Sequence, residues 1–426
     1  MSTNGIKGKV LVVGGGISGI TAAIEASEAG CEVVLVEKGP SLGGRVARAY
    51  QYFPKLCPPT CGLEINYRRL RQSPRIRCLT LATVERIAGD AGSYRATVRR
   101  QPRRVNNKCT ACGACVAACP VERPDDFNHG MSSTKAIYLP YAQAFPLQYV
   151  IDDKVCPGTS CGKCLPACPY GAIELDMAPE TMELEVQAVI WATGWDPYDA
   201  RNLKELGFGA CPNVITNTMM ERLASTEGPT GGKIQRPSDG KAIGTIAFVQ
   251  CAGSRDVNNL KYCSAVCCMA SLKQARYVRA QYPDAEIYMF YIDIRSPGRQ
   301  EDFYAQMQKD EKFHLIKGKV AKITQEGDSG DLVVEAEDIM GATRVHKRVD
   351  LVVLATGMVP ADGAVAIGEH GGLQKDEHGF LTSDQPSAGL LGVGCSRRPA
   401  DVATCVRDAT AAALKAVQLC VGRSRG

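Results

Sequence analysis

Twenty cysteines stand among 426 residues, and twelve of them fall into three tight groups. The first is Cys109-x2-Cys112-x2-Cys115-x3-Cys119-Pro120, and the second repeats it with a wider first gap as Cys156-x4-Cys161-x2-Cys164-x3-Cys168-Pro169. Three thiolates on one tight loop, with a fourth from elsewhere, form the ligand set of a cubane cluster. Where such runs are doubled, the fourth cysteine of each serves the other cluster. The spacing therefore assigns Cys109, Cys112, Cys115 and Cys168 to one [4Fe–4S] cluster, and Cys156, Cys161, Cys164 and Cys119 to another. Zinc sites do not need this doubled spacing. The third group, Cys251-x11-Cys263-x3-Cys267-Cys268, gathers four thiols around the start of one helix. It is read as a third [4Fe–4S] site, with buried, redox-silent cysteines as the alternative. Cys57 and Cys61 flank Pro58-Pro59 without a partner run, so a loop role weighs at least as much as a redox role. Cys31, Cys78, Cys211, Cys405 and Cys420 show no spacing, and packing is the expectation for each.

Glycines carry the second chemistry. Val10–Val13 reads as a buried parallel strand, and Gly14-Gly15-Gly16-Ile17-Ser18-Gly19 leads into an alanine-rich helix over Ile20–Ala29. A second strand over Cys31–Val36 ends at Glu37, 18 residues after Gly19. Strand, glycine turn, helix and acid in this register form a dinucleotide fingerprint. Gly14 makes the tight turn, Gly16 lets the backbone approach a pyrophosphate, and Gly19 lets the helix pack on the strand. The helix N-terminus offers free N–H groups to the phosphates, and Glu37 is placed to accept hydrogen bonds from the ribose. A second α/β unit is expected from the strand Gly244–Val249, the helix Cys263–Gln281 and the strand Glu286–Ile292. Its first loop reads Gln250-Cys251-Ala-Gly-Ser-Arg-Asp256 and has no glycine triad. NAD(P)H binding is not expected there, and the third cysteine group takes its place.

The elements that must hold these residues fit an ordinary globular chain, with 45% apolar and 22% charged residues. No secretory signal is visible, and no apolar run reaches the roughly 18 residues of a membrane span. A cytoplasmic protein is expected, where clustered cysteines more often hold metal than form disulfides. The net charge of +5 hides an asymmetry: Arg68–Lys108 holds 12 basic and 2 acidic residues. Only Tyr94 is aromatic in that stretch, so a solvated face or protein docking surface is expected rather than a nucleic-acid site. The histidines show no metal-ligand spacing.

Several segments resemble flavoproteins with two dinucleotide-binding domains. Lys38-Gly-Pro-Ser-Leu-Gly-Gly44-Arg45 follows the acid, and two strands end alike, in Ala192-Thr193-Gly194 and Ala355-Thr356-Gly357. In such flavoproteins these triplets mark where the chain crosses between domains. The segment Leu391-Gly392-Val-Gly394 precedes a helix over about Asp401–Cys420, and Cys395 stands where these proteins usually carry aspartate. The resemblance implies FAD, held by Gly14, Gly16, Gly19, Glu37, Lys38, Gly44, Arg45, Ala192, Thr193, Gly194 and Gly394. It also implies an α/β architecture: a Rossmann-like FAD domain, a second α/β domain and an inserted 2[4Fe–4S] ferredoxin-like domain. The boundaries are 1–105 and 351–426 for the FAD domain, 106–178 for the insertion, 179–240 for a return strand and linker, and 241–350 for the second domain. No residue of the chain is expected to be catalytic by itself; the flavin ring carries the chemistry.

The run Cys251-Ala-Gly-Ser-Arg-Asp256 with Tyr262-Cys-Ser-x2-Cys-Cys268 further resembles the flavin-bearing component of heterodisulfide reductases. The segment Tyr52-Phe-Pro-Lys-Leu-Cys57-Pro-Pro-Thr-Cys61-Gly is similar to one branch, the corresponding flavoproteins of quinone-interacting membrane-bound oxidoreductases. That branch implies a second flavin/iron–sulfur subunit, a membrane haem/iron–sulfur subunit, and electron exchange between the quinone pool and adenylylsulfate reductase. The chain would then lie at the inner face of the membrane through its partners. The rival readings are a soluble heterodisulfide reductase-like complex whose flavin bifurcates electrons, a stand-alone NAD(P)H:acceptor flavoenzyme, and an assembly scaffold with structural cofactors.

Overall fold

The computed structural model describes residues 8–90, 92–361, 373–382 and 389–423. The chain forms two units: residues up to Trp195 with Pro360–Arg398 and those from Val402 on, and Asp196–Val359 with Pro399–Asp401.

The first unit is built on β1 (Lys9–Val13), α1 (Ile17–Glu28), β2 (Glu32–Glu37), α2 (Pro59–Gln72) and β3 (Ile76–Thr80). Its sheet is parallel throughout, in the order Leu390–Gly392, β4 (Ala188–Trp191), β1, β2, β3. Unbroken Val/Leu runs suit strands covered on both faces, and alternation divides β1 between two cores. Val10 and Val12 join Ile20 and Ile24 of α1 and Ala409 and Ala413 of the long helix Val402–Arg423. Leu11 and Val13 join Trp191, Val98 and Val186 on the opposite face. Small residues let the helices approach closely, and Ala22, Ala23 and Ala26 of α1 are fully buried.

The segment between residues 106 and 178 forms its own small core around Val105, Ile137, Ile151 and Ile173. A bridge between Val105 and Ile173 closes its base, with Asn106 N–H donating to the Ala172 carbonyl at 2.8 Å.

The second unit repeats the plan of the first. Its parallel sheet runs Val214–Thr216, Leu351–Thr356, β5 (Thr245–Ala252), Glu286–Tyr291, Phe313–Lys317, with α3 (Cys267–Gln281) following β5. Each unit also holds a three-stranded antiparallel sheet. This corrects two expected boundaries. Residues from Asp196 to Gly240 belong to the second unit, because Val214–Thr216 pairs with Leu351–Thr356. Leu351–Thr356 is likewise a strand of that unit and not the start of the returning flavin segment. The unit boundaries fall within three residues after each Ala-Thr-Gly triplet, at Trp195 and Val359.

Helix starts also shift. The helix expected from Cys263 begins at Cys267, since Ala265 adopts φ +61° and a left-handed residue cannot continue a right-handed helix. The basic stretch is not one free face. Arg69 pairs with Glu28 at 2.8 Å, Arg95 with Glu185 at 3.4 Å and Arg104 with Asp153. Arg103, 3% exposed, donates to Thr80 Oγ1 at 2.8 Å and to the Pro40 and Gln148 carbonyls. It therefore fastens the inserted segment to the flavin loop rather than serving a docking surface.

Candidate flavin and iron–sulfur sites

The β1–α1 turn has the shape of a phosphate cradle for reasons visible residue by residue. Gly14 sits at φ +107°, and a Cβ there would overlap the Ala192 carbonyl. One on Gly19 would overlap the Gly14 carbonyl, so the close helix–strand approach requires glycine. Gly16 is different: a Cβ there would meet nothing nearer than Gly44 Cα at 3.9 Å. No protein neighbour demands that glycine, and the open space above the N-terminus of α1 is what a pyrophosphate would fill. The Thr193 hydroxyl is buried without a hydrogen-bond partner among the described residues, as a group awaiting a ligand would be. Arg45 stacks on Trp195, 5.6 Å from its ring centroid, and Gly194 faces open space. Both observations fit FAD. Ala192 packs at the base of the turn, Gly394 adopts φ +60° beside Ser18, and Lys38 is exposed.

Glu37 does more than sequence position implied. Its two carboxylate oxygens accept N–H bonds from Gly15 and Gly39, each at 2.6 Å. Burial raises its pKa, opposed by those two bonds. The acid thus ties the glycine loop to the loop that follows, and any ribose contact would use its remaining lone pairs.

The ferredoxin-type cysteines come together across the sequence. Cys109, Cys112, Cys115 and Cys168 line one small cavity with Tyr149 and Ile173. Cys115 is pushed up to about 11 by burial and the neighbouring Cys109 sulfur, with Cys168 also acting on it. Cys164 is pushed up by burial and by Cys156, Cys119 and Cys161, and Cys119, Cys156 and Cys164 pack against the same small core. Two of these sulfurs accept backbone N–H bonds, Cys156 from Gly158 at 3.5 Å and Cys168 from Ala172 at 3.3 Å. Such bonds stabilise thiolate ligands and tune cluster potential. Among the described residues no three His, Cys, Asp or Glu groups converge on a single-ion site.

The third group is the most buried. Cys251, Cys267 and Cys268 are 9%, 8% and 7% exposed, and Cys263 is half-buried. Burial pushes the Cys251 thiol up to about 11, with Cys268 and Cys263 adding to it. Cys267 is raised by burial and then by the neighbouring Cys268, Cys251 and Cys263. Three buried thiols beside a fourth can ionise together only against a cation. The loop between β5 and α3 is tightly packed: a Cβ on Gly357 would overlap the Ser254 hydroxyl, and one on Gly253 would stand 2.6 Å from the Tyr198 ring. Sequence reading missed Arg255, which hydrogen-bonds Cys251 and pairs with Asp293. Nothing in a 38-residue separation signals that pairing. Cys57 bridges Tyr52 through its backbone and Cys61 lies exposed in the first turn of α2, outside all three groups.

Glycine cradle, parallel sheet and ferredoxin-type cysteines define a flavin- and iron–sulfur-dependent oxidoreductase. Residues 9–106 match the family model described as FAD dependent oxidoreductase, and residues 102–122 match the 4Fe-4S binding domain. FAD and [4Fe–4S] clusters are therefore its cofactors. The relatives described next are named as components of CoB–CoM heterodisulfide reductases. The chain is 39% identical over 419 residues to an iron–sulfur subunit of the CoB–CoM heterodisulfide reductase of Methanopyrus kandleri, covering 96% of this chain and 64% of that protein. It is 38% identical over 422 residues to the corresponding component of the ferredoxin/F420H2-dependent CoB–CoM heterodisulfide reductase of Methanosarcina acetivorans, covering 96% and 53%. The chain thus spans between about half and just under two thirds of these relatives. Among solved structures, Lactococcus lactis thioredoxin reductase aligns with a TM-score of 0.53 at 14% identity over 98% of this chain and all of that one. A bacillithiol disulfide reductase from Bacillus cereus aligns at 0.52 and 12% identity, over 98% and 99%. These two show the fold alone. No helix among the described residues is long and apolar enough to cross a membrane.

Proposed function

We propose that this chain is the flavin-bearing electron relay of a heterodisulfide reductase-like complex. Bound FAD would supply exchange between two-electron and one-electron chemistry, and the clusters would carry electrons singly. The chain's own part is to hold FAD on the β1–α1 turn, to exclude a nicotinamide from the second unit and to gather cysteines for clusters. Cys109, Cys112, Cys115 and Cys168 would hold one, Cys156, Cys161, Cys164 and Cys119 the second, and Cys251, Cys263, Cys267 and Cys268 a third. The observation that carries this reading is the cysteine loop of the second unit, standing where a two-domain flavoenzyme would bind its pyridine nucleotide.

The relatives' names support partner subunits and exchange with a ferredoxin or a heterodisulfide. No CxxC lies in the second unit, so disulfide reduction would take place on a partner. A narrower form assigns the chain to a quinone-interacting membrane-bound complex that exchanges electrons with adenylylsulfate reductase from the inner face of the membrane. Its support is the Tyr52–Gly62 segment, and the soluble heterodisulfide reductase-like form has the support of the relatives. Anaerobic mixing tests the common core. Reduced ferredoxin or dithionite should bleach the flavin and NADH or NADPH should not. Bleaching by NAD(P)H alone would establish the stand-alone flavoenzyme instead.

A further inference from the structure

Outside these sites, two sulfurs stand in contact where sequence spacing suggested only packing. Cys395 lies in the turn Gly394–Ser396 and Cys405 in the first turn of the helix Val402–Arg423, with their Sγ atoms 3.6 Å apart. Both are buried, at 7% and 4% exposure. They adjoin the first turn of α1: a Cβ on Gly394 would overlap Ser18 Oγ and stand 3.2 Å from Cys405 Sγ. The hydrogen bond from Cys395, opposed by burial and aided by Ser18 and the Cys395 backbone, holds the Cys405 thiol below its usual range. One sulfur ringed by donors, with a second thiol in contact, has the makeup of an attacking and a resolving cysteine.

We propose that Cys405 and Cys395 form a peroxide-reactive thiol pair that closes to a disulfide beside the dinucleotide loop. The oxidant is hydrogen peroxide, the product that reduced flavins release on meeting dioxygen, so its local source rests on the FAD reading. The Cys405 thiolate attacks one peroxide oxygen; an S–O bond forms, the O–O bond breaks, and the leaving hydroxide takes a proton to become water. The Cys395 thiol then attacks the Cys405 sulfur. An S–S bond forms, the S–O bond breaks, and hydroxide leaves with the Cys395 proton as a second water. Two thiols and one peroxide thus give one disulfide and two waters. Closure requires the sulfurs to approach from 3.6 Å to about 2.05 Å, within the reach of side-chain rotation.

The molecule contains its own control. Cys31 and Cys420 form a second buried, hydrogen-bonded pair, at 0% and 1% exposure, within an apolar core. There the bond that lowers the Cys420 thiol comes from Cys31 and is opposed by burial.

The FAD-loaded protein is treated with one equivalent of hydrogen peroxide, alkylated under denaturing conditions and digested with trypsin. The cross-linked peptides Asp376–Arg397 and Arg398–Arg407 should appear, reversibly with dithiothreitol, and about tenfold faster than any Cys31–Cys420 link, as one charge-assisted hydrogen bond implies. C405S should abolish the link and leave Cys395 fully alkylated, whereas C395S should leave a dimedone-reactive Cys405. S18A, which keeps both thiols, should slow the link several-fold. The proposal is overturned if Cys405 in the unmodified chain stays as alkylable as before peroxide, or if the two pairs link at equal rates. Flavin released from the same sample reports the FAD reading separately, because peroxide is added directly.

Discussion

The two units open on the same architecture and spend it differently. In each, the central strand of a five-stranded parallel sheet feeds a helix that packs back on that sheet. In the first, three residues separate β1 from α1 and all are glycine. The short turn leaves the helix N–H groups and the space above Gly16 free for an anion. In the second, 14 residues lie between Ala252 and Cys267, and they fold back so that the Ser254 and Ser264 hydroxyls hydrogen-bond at 3.0 Å beside Gly357. A cradle for phosphate needs an empty, tight turn, whereas a cradle for iron needs a loop long enough to bring thiols from both its ends. On the proposed reading, the second unit uses this strand-to-helix connection for cysteines where the first uses it for phosphate.

That contrast can be broken by substitution. Gly19→Val should have the largest effect, since even a Cβ overlaps the Gly14 carbonyl; overpacking of this kind costs on the order of 3 kcal/mol or more. Flavin content should collapse, while iron in the inserted segment remains. The double substitution of Cys267 and Cys268 to serine should remove about four iron per chain and leave flavin content unchanged. Loss of flavin with that iron would mean the two units do not divide their cofactors. Cys168→Ala tests the crossed assignment in the insertion. It should remove the cluster of Cys109, Cys112 and Cys115 and spare the one held by Cys156, Cys161 and Cys164, which EPR of the reduced protein resolves.

The smallest effect is expected at Glu37. Burial sets its folded pKa above its unfolded one, so its contribution to stability is fully present below the unfolded value and is lost as pH rises through the folded value. Glu37→Gln should flatten that decline in a thermal-melt series across pH. It should also weaken FAD retention by about 1–2 kcal/mol, through loss of charge-assisted bonds to the loop.

Much of this was legible because local spacing encodes local chemistry. The Gly14–Gly19 turn and the two ferredoxin-type runs are visible as motifs within a few residues, and the parallel strands announce themselves as Val/Leu runs. What escaped depends on contacts between distant segments. Val214–Thr216 is three residues long and pairs only with a strand more than a hundred residues later, so Asp196–Gly240 read as linker. The left-handed Ala265 delayed α3 by four residues, with no glycine or proline to mark the place. Arg103 read as surface charge because composition cannot show that its partners are Thr80 and the Pro40 carbonyl. The Cys395–Cys405 contact left no spacing signature because a turn and a helix bring the two sulfurs together.

The central claim is that the second unit exchanges nicotinamide for iron, and anaerobic quantification of iron, acid-labile sulfide and FAD tests it most directly, with EPR of the dithionite-reduced protein. About twelve iron and twelve sulfide per FAD, with three interacting cubane signals, is the predicted result. About eight iron per FAD, with Cys251, Cys263, Cys267 and Cys268 all open to alkylation, would contradict it.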